Sequence, residues 1–126
     1  MPDAIKTTMN TPCWFAGRTV FRNSWLSERG AFEERIVLVW AASFEEACAK
    51  VHAEADWYRI SHPELELVDC SVVYCTQAQE IGDGTEVWSM RREVRMDAGE
   101  YVRHFHSMEK ASVRTPVSKE AMEAAV

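Results

Sequence analysis

A helix start that directly follows an apolar strand is the feature of this sequence that most restricts its fold. Ser43 and Glu46 are spaced as in the motif S-x-x-E, in which each side chain accepts a hydrogen bond from a backbone N–H group at the start of a helix. At about 100° per residue, one stripe of the following helix contains Phe44, Ala47, Cys48, Val51, Ala55 and Tyr58. We therefore predict a helix that begins at Ser43 and covers one face of a sheet.

Segments with the period-two alternation of strands lie on both sides of this helix. They are residues 13–22, 31–41, 64–75 and 85–92. Turn-forming residues separate the first two and the last two, so each pair is expected to form an antiparallel hairpin. Asp97 and Glu100 can cap a second helix over residues 98–110. The predicted fold class is α+β in the order ββαββα, with a four-stranded, mainly antiparallel sheet and the helices packed on one face.

The second and third predicted strands carry apolar sets that indicate which side chains face the core. On one face the second strand carries Phe32, Ile36, Leu38 and Trp40. Val37 and Val39 are apolar on the other face, which is typical of a central strand or of a strand whose second face is partly covered. In the third strand we expect an inward set of Val68, Cys70, Val72 and Tyr74.

Length and composition are those of an ordinary globular protein. The 126 residues suit one domain, assigned to residues 12–110, between a disordered tail at 1–11 and a flexible or weakly helical tail at 111–126. The formal net charge of −6 argues against a broad phosphate-binding surface. No apolar run is long enough to span a membrane, and the first residues lack the pattern of a signal peptide. We therefore expect a cytoplasmic protein with four cysteines as free thiols.

Several segments together resemble a family of short bacterial domains of unknown function. They are Trp14-Phe15, FEERIVLVWAASFEEA at residues 32–47, Val72-Val73-Tyr74 and GTEVWS at residues 84–89. The resemblance extends from about Trp14 to Arg91. It implies a bacterial, cytosolic protein and supports the fold boundaries, and it implies no catalytic residue.

Charged side chains of the second strand are the first candidates for a functional site. Adjacent strand residues point to opposite faces, so Glu33 and Glu34 cannot act together as acid and base. Glu33 and Arg35 share a face, where cross-strand ion pairing is the simpler interpretation. If Glu34 lies on the apolar face, its partial burial would either raise its pKa or require an arginine partner.

Trp57 and the histidines are the next candidates. Trp57 lies outside the apolar stripe of the first helix, so it either folds over the helix end or beneath the following loop, or it is an exposed anchor for a partner. His104 and His106 diverge on a helix and cannot bind one metal ion together. We therefore expect no metal and no cofactor.

The leading hypothesis is a non-enzymatic protein-binding domain of bacteria or their phages, such as an inhibitor, an immunity-type protein or an adaptor. The residues assigned to partner binding are Trp57, Glu54, Glu33, Arg35 and Trp88. The expected partner is a protein of unknown identity in preference to a nucleic acid, and no role for a membrane is expected. A homodimer through an unpaired sheet edge also fits this hypothesis.

Two alternatives from other classes stay open. The first is a small enzyme with Glu34 or Glu86 as the base and an arginine as an anion clamp. The second is a weak binder of single-stranded nucleic acid that uses aromatic and arginine side chains of the sheet. Its candidate residues are Trp14, Trp88, Arg18, Arg22, Arg35, Arg91, Arg92 and Arg95.

Overall fold

The computed structural model describes residues 11–25 and 30–107. The chain divides into two compact units, Met1–Met90 and Arg91–Val126, and each is considered by itself. Apart from Thr11, the two predicted tails lie outside the described residues. The single domain over residues 12–110 stays a prediction.

The first unit is built on an antiparallel sheet. Its strands within the described residues are β1 (Cys13–Asn23), β2 (Ala31–Ala41) and β3 (Leu65–Ala78), in the order β2-β1-β3. β1 pairs with β2 along its whole length, from Cys13 opposite Ala41 to Asn23 opposite Ala31. The predicted first hairpin is therefore confirmed, and β1 is the central strand.

The predicted four-stranded ββαββα fold is wrong. In the part of the chain that the structure describes, the sheet has three strands, and residues 85–92 are not one of them. β3 continues to Ala78, into the predicted loop. A turn follows in which the Thr85 N–H donates to the Gly82 carbonyl at 3.1 Å. Because residues 79–81 separate Ala78 from this turn, the chain does not return directly onto β3, as a tight hairpin requires.

The helix α1 (Phe44–Ile60) begins where the sequence predicts it. The Glu46 N–H donates to the Ser43 hydroxyl oxygen at 3.1 Å, and the Glu46 carboxylate accepts from the Ala42 N–H, also at 3.1 Å. The hydrogen bond from Ala42, together with Lys50, holds the pKa of Glu46 below its ordinary value. The capping box is confirmed, although the glutamate reaches one residue further back than in the ideal motif.

The core of the first unit lies between α1 and one face of the sheet. Near the start of α1 it consists of Cys13, Phe15, Val39, Ala41, Ala47 and Val51. Near the end of α1 it consists of Phe21, Ala55, Tyr58 and Leu65. At Gly17 an added Cβ atom would be 2.3 Å from Val51 Cγ2. The missing side chain therefore lets α1 approach the sheet closely.

The second unit contains a short helix, α2 (Ala98–Tyr101), which continues as a π-helical turn over Val102–His106. Its cap is Asp97, whose carboxylate accepts from the Glu100 N–H at 2.9 Å. This hydrogen bond lowers the pKa of Asp97. The helix predicted over residues 98–110 therefore begins at its expected cap but changes to the wider turn after one turn, and residues 108–110 lie outside the described residues.

Gly17→Ala is expected to lower the free energy of unfolding by about 2 kcal/mol, because the new methyl group would overlap the Val51 side chain in a close-packed core. Urea unfolding followed by circular dichroism measures the loss. Gly82→Ala is the matched control, since nothing lies within 4 Å of a Cβ atom at that position. The double variant Gly17→Ala/Val51→Ala should be less destabilised than the sum of its single changes. Equal stability of the two glycine variants would contradict the close approach of α1.

Candidate interaction surface

β1 divides its side chains between the two faces of the sheet. The set toward α1 is Cys13, Phe15, Gly17, Thr19 and Phe21. The alternate set lies on the opposite face, away from α1. We call this opposite face the helix-free face. From the alternation and the register it comprises Trp14, Ala16, Arg18, Val20 and Arg22 of β1, Phe32, Glu34, Ile36, Leu38 and Trp40 of β2, and Glu66, Asp69, Val72, Tyr74 and Ala78 of β3.

The larger apolar residues of β2 lie on the helix-free face. Ile36 is 49% exposed, and Phe32, Leu38 and Trp40 are also exposed. The Trp40 ring makes an edge contact with the Trp14 ring at 5.2 Å between centroids. The central position considered for this strand is wrong, because β1 occupies it and β2 lies at the edge. α1 covers only the face that carries the smaller valines.

Irregular pairing in β3 divides its predicted inward set between the two faces. The register between β1 and β3 shifts twice between Arg18 and Phe21. Val72 and Tyr74 pair with residues of the helix-free face, whereas Cys70 packs against the core. A β-bulge sets two residues of one strand against one of the other and so interrupts the alternation. The prediction that Val68, Cys70, Val72 and Tyr74 share one inward face is therefore wrong.

Charged residues of the helix-free face lie next to partners of opposite sign. Arg18 Nε donates to Glu34 Oε1 at 2.9 Å, and Arg18 Nη2 contacts the same oxygen. This is the arginine partner expected for Glu34, whose side chain is 54% exposed. Arg22 lies opposite Glu66 in the register. With Asp69 opposite Val20, the strands carry two cations and three anions on this face, so its charge is closer to balance than the formal net charge of −6 of the whole chain.

Side chains of residues 81–90 reach the Tyr74 end of the helix-free face. The Tyr74 hydroxyl donates to the Glu86 carboxylate at 3.3 Å, and the Trp88 ring centroid lies 6.0 Å from that of Tyr74. Burial, and then the negative charge of Glu86, raises the pKa of Tyr74. Arg18 Nη1 contacts Met90 Sδ at 3.9 Å. Trp88, one of the residues assigned to partner binding, therefore borders the helix-free face.

Glu33, Arg35 and Glu54, also assigned to partner binding, lie on the α1 side of the sheet. Arg35 donates to both carboxylate oxygens of Glu54, at 3.1 and 3.3 Å. Its guanidinium carbon lies 3.5 Å from the centroid of the Tyr58 ring, and the Tyr58 hydroxyl donates to Glu33 at 2.6 Å. Glu33 and Arg35 share a face as predicted, and the contacts of all three residues join β2 to α1.

Trp57, the remaining assigned residue, is 63% exposed on α1. Most of its ring is therefore outside the core, and neither the helix end nor the following loop covers it. Because α1 packs on the other side of the sheet, Trp57 does not belong to the helix-free face.

Within residues 11–25 and 30–107, no group of three or more His, Cys, Asp or Glu residues is arranged to hold a metal ion. No helix in the described part of the chain combines the length and the apolarity needed to cross a membrane. No protein-family model, curated protein or solved structure matches this chain. The resemblance to the bacterial family therefore stays a prediction.

The assignment of partner-binding residues omitted Phe32, Ile36, Leu38 and Trp40. The sequence does distinguish the two faces of β2, because their apolar side chains differ in size. The stripe of α1 contains Ala47, Cys48 and Ala55, and small residues of this kind pack against a sheet face that carries glycine and valine. The face with the larger side chains was therefore the one left for another contact.

Arg35→Ala is expected to lower the free energy of unfolding by about 2 kcal/mol, because it leaves the partly buried Glu54 carboxylate without its partner and removes the cation from the Tyr58 ring. Thermal and urea unfolding measure the loss. Arg59→Ala is the matched control, because the Arg59–Asp56 pair is more exposed and should contribute less than about 0.5 kcal/mol. Wild-type stability of Arg35→Ala would show that the pair does not hold β2 to α1.

Proposed function

We propose that this protein is a non-enzymatic protein-binding domain and that it binds through the helix-free face. The observation that supports this most strongly is the row of exposed apolar side chains on β2: Phe32, Ile36, Leu38 and Trp40. Val72 of the opposite edge strand is also exposed, on the far side of Arg18 of β1. Contiguous apolar surface of this kind on a folded domain marks a site of interaction.

The occupant that we propose for the helix-free face is a second copy of this chain. In a twofold dimer the same patch meets itself, so it must be complementary to itself in charge as well as in shape. The pairs Arg18–Glu34 and Arg22–Glu66 meet this condition, because a rotated copy can bring each cation near an anion of its partner. Outside this face, the excess of acidic over basic residues makes two copies of the chain repel each other.

The size of the helix-free face also fits a dimer. Strands spaced about 4.8 Å apart with a rise of about 3.3 Å per residue give three 11-residue segments a face of about 500 Å². Two copies would bury at most about 1,000 Å², which is the lower limit for a specific interface, because Ala16 at the centre of the face is already fully covered. The side chains of residues 86–90 at the border would add to this area.

A dimer of this kind leaves room for a second protein. Trp57 lies on α1, away from the helix-free face, and its exposed ring has the chemistry of an interface anchor. An inhibitor, an immunity-type protein or an adaptor needs such a contact in addition to its own assembly. Trp57 is therefore the residue that we propose for contact with a protein other than a second copy.

The enzyme and nucleic-acid alternatives have less support. Glu34, a candidate base, is paired with Arg18 and more than half exposed. Arg18 and Arg35 are both paired with carboxylates of this chain, which removes them from a phosphate-binding surface. No contact of the described residues favours either alternative over the protein-binding role.

Ile36→Glu is expected to convert a dimer into a monomer, because it places a charge in the middle of the apolar surface that the second copy would cover. Analytical ultracentrifugation over a wide range of protein concentrations measures this change. The wild-type chain should sediment with twice the monomer mass of 14.4 kDa. The variant should show a dissociation constant that is higher by about 100-fold.

Ile60→Glu is the matched control, because the same substitution falls on α1, at a side chain that is 81% exposed. This variant should dimerise like the wild type. At a protein concentration low enough for the wild type to be monomeric, Ile36→Glu should keep the wild-type unfolding midpoint, since the new carboxylate is exposed and lies opposite Arg18. A wild-type chain that is monomeric at every concentration would exclude the second copy as occupant. A dimer that tolerates Ile36→Glu would place the contact on another surface.

A further inference from the structure

We propose that Cys13 and Cys75 are a redox-sensitive pair that closes to a disulfide when a low-molecular-weight disulfide is present as oxidant. Their sulfur atoms lie 3.7 Å apart, although the residues are 62 positions apart in the chain. A disulfide bond is about 2 Å long, so small side-chain rotations would bring the sulfurs together. Neither residue belongs to the surface proposed above, and this inference is independent of the proposed function.

The pairing of β1 with β3 is irregular near the two cysteines, and this irregularity brings the two side chains together. The pairing of β1 with β3 shifts between Trp14 and Phe15. Thr76 holds this shift in place, since its hydroxyl donates to the Trp14 carbonyl at 2.6 Å and accepts from the Ala78 N–H at 3.0 Å. Gln77, which lies between Thr76 and Ala78, has a positive φ of 63°. Cys13 and Cys75 thus lie diagonally across neighbouring strands, on the face that packs toward α1.

The two thiols differ in their access to an oxidant. Cys13 is buried, whereas Cys75 is partly exposed. Burial, and then the neighbouring Cys75, raises the pKa of the Cys13 thiol, which lowers the fraction of Cys13 present as the reactive thiolate. The accessible Cys75 is therefore the residue that reacts first, and Cys13 is the residue that resolves the intermediate.

The reaction consists of two thiol–disulfide exchanges. The Cys75 sulfur attacks one sulfur of the oxidant, its S–S bond breaks, and one thiol leaves with the proton of Cys75. The Cys13 sulfur then attacks Cys75 Sγ of the mixed disulfide, and the second thiol leaves with the proton of Cys13. Two protein thiols are oxidised to one disulfide, and one oxidant disulfide is reduced to two thiols. In a reducing compartment such a bond is transient and reports the redox state.

Cross-linking mass spectrometry of the full chain tests the proposal. The protein is equilibrated with oxidised and reduced glutathione in varied ratio, free thiols are blocked with N-ethylmaleimide, and the chain is digested without reduction. Chymotrypsin cuts after Tyr74 and so separates Cys70 from Cys75. We expect one cross-linked product that joins Cys13 to Cys75, with Cys48 and Cys70 recovered in the blocked form.

Thermal unfolding provides a second measurement. The cross-link should raise the unfolding midpoint of the oxidised wild type by about 10 °C. Cys75→Ser should abolish the shift, and Cys70→Ser should retain it. A chain that keeps four free thiols in oxidised glutathione would overturn the proposal. So would a mixed disulfide at Cys75 that Cys13 never resolves, or a cross-link between Cys48 and Cys70.

Discussion

The close approach of α1 to β1 at Gly17 is the constraint on which the first unit depends. The space that a side chain would occupy at Gly17 is filled by Val51, and Ala47 and Ala55 are fully buried on the same side of α1. Although Phe15 and Phe21 are also buried on this face, the close approach at Gly17 requires small side chains beside it on the neighbouring strand. This requirement selects the face of β2 with Val37 and Val39, and the larger side chains of β2 lie on the helix-free face as a consequence.

Polar contacts complete the attachment of α1 where its apolar stripe ends. Arg35 lies between the Glu54 carboxylate and the Tyr58 ring, and Glu33 accepts a hydrogen bond from the Tyr58 hydroxyl. Partly buried charges of this kind are tolerated when each has a partner of opposite sign or a hydrogen bond. From the sequence, these residues were candidates for partner binding. In the structure their contacts attach α1 to β2.

Local signals in the sequence predicted the first hairpin, the capping box at Ser43 and most of the buried stripe of α1. Ala47, Val51, Ala55 and Tyr58 are buried as predicted, whereas Phe44 is 50% exposed and Cys48 is only partly buried. The local signals did not predict the three-stranded sheet. The period-two pattern of residues 85–92 is typical of a strand. To join the sheet, however, a segment must also pair in register with the free edge of a neighbouring strand. The position at which β3 ends decides whether the chain can return to that edge. The bulges in β3 were equally hidden, since no glycine marks them. The residues of the helix-free face could be grouped from their alternation, but both faces of β2 are apolar, so the alternation alone could not say which one α1 covers.

The three register shifts in the pairing of β3 with β1 have a consequence for assembly along the sheet. A bulged strand bends and twists locally, which spoils the even spacing of N–H and C=O groups that an incoming strand would need. β2, in contrast, pairs with β1 without a shift over eleven residues, so its outer edge keeps regular spacing. An added strand could therefore pair regularly with the β2 edge of the sheet but only poorly with the β3 edge. Pairing through the β2 edges of two chains would leave only the irregular β3 edges for further growth, and irregular edges are poor templates for fibres.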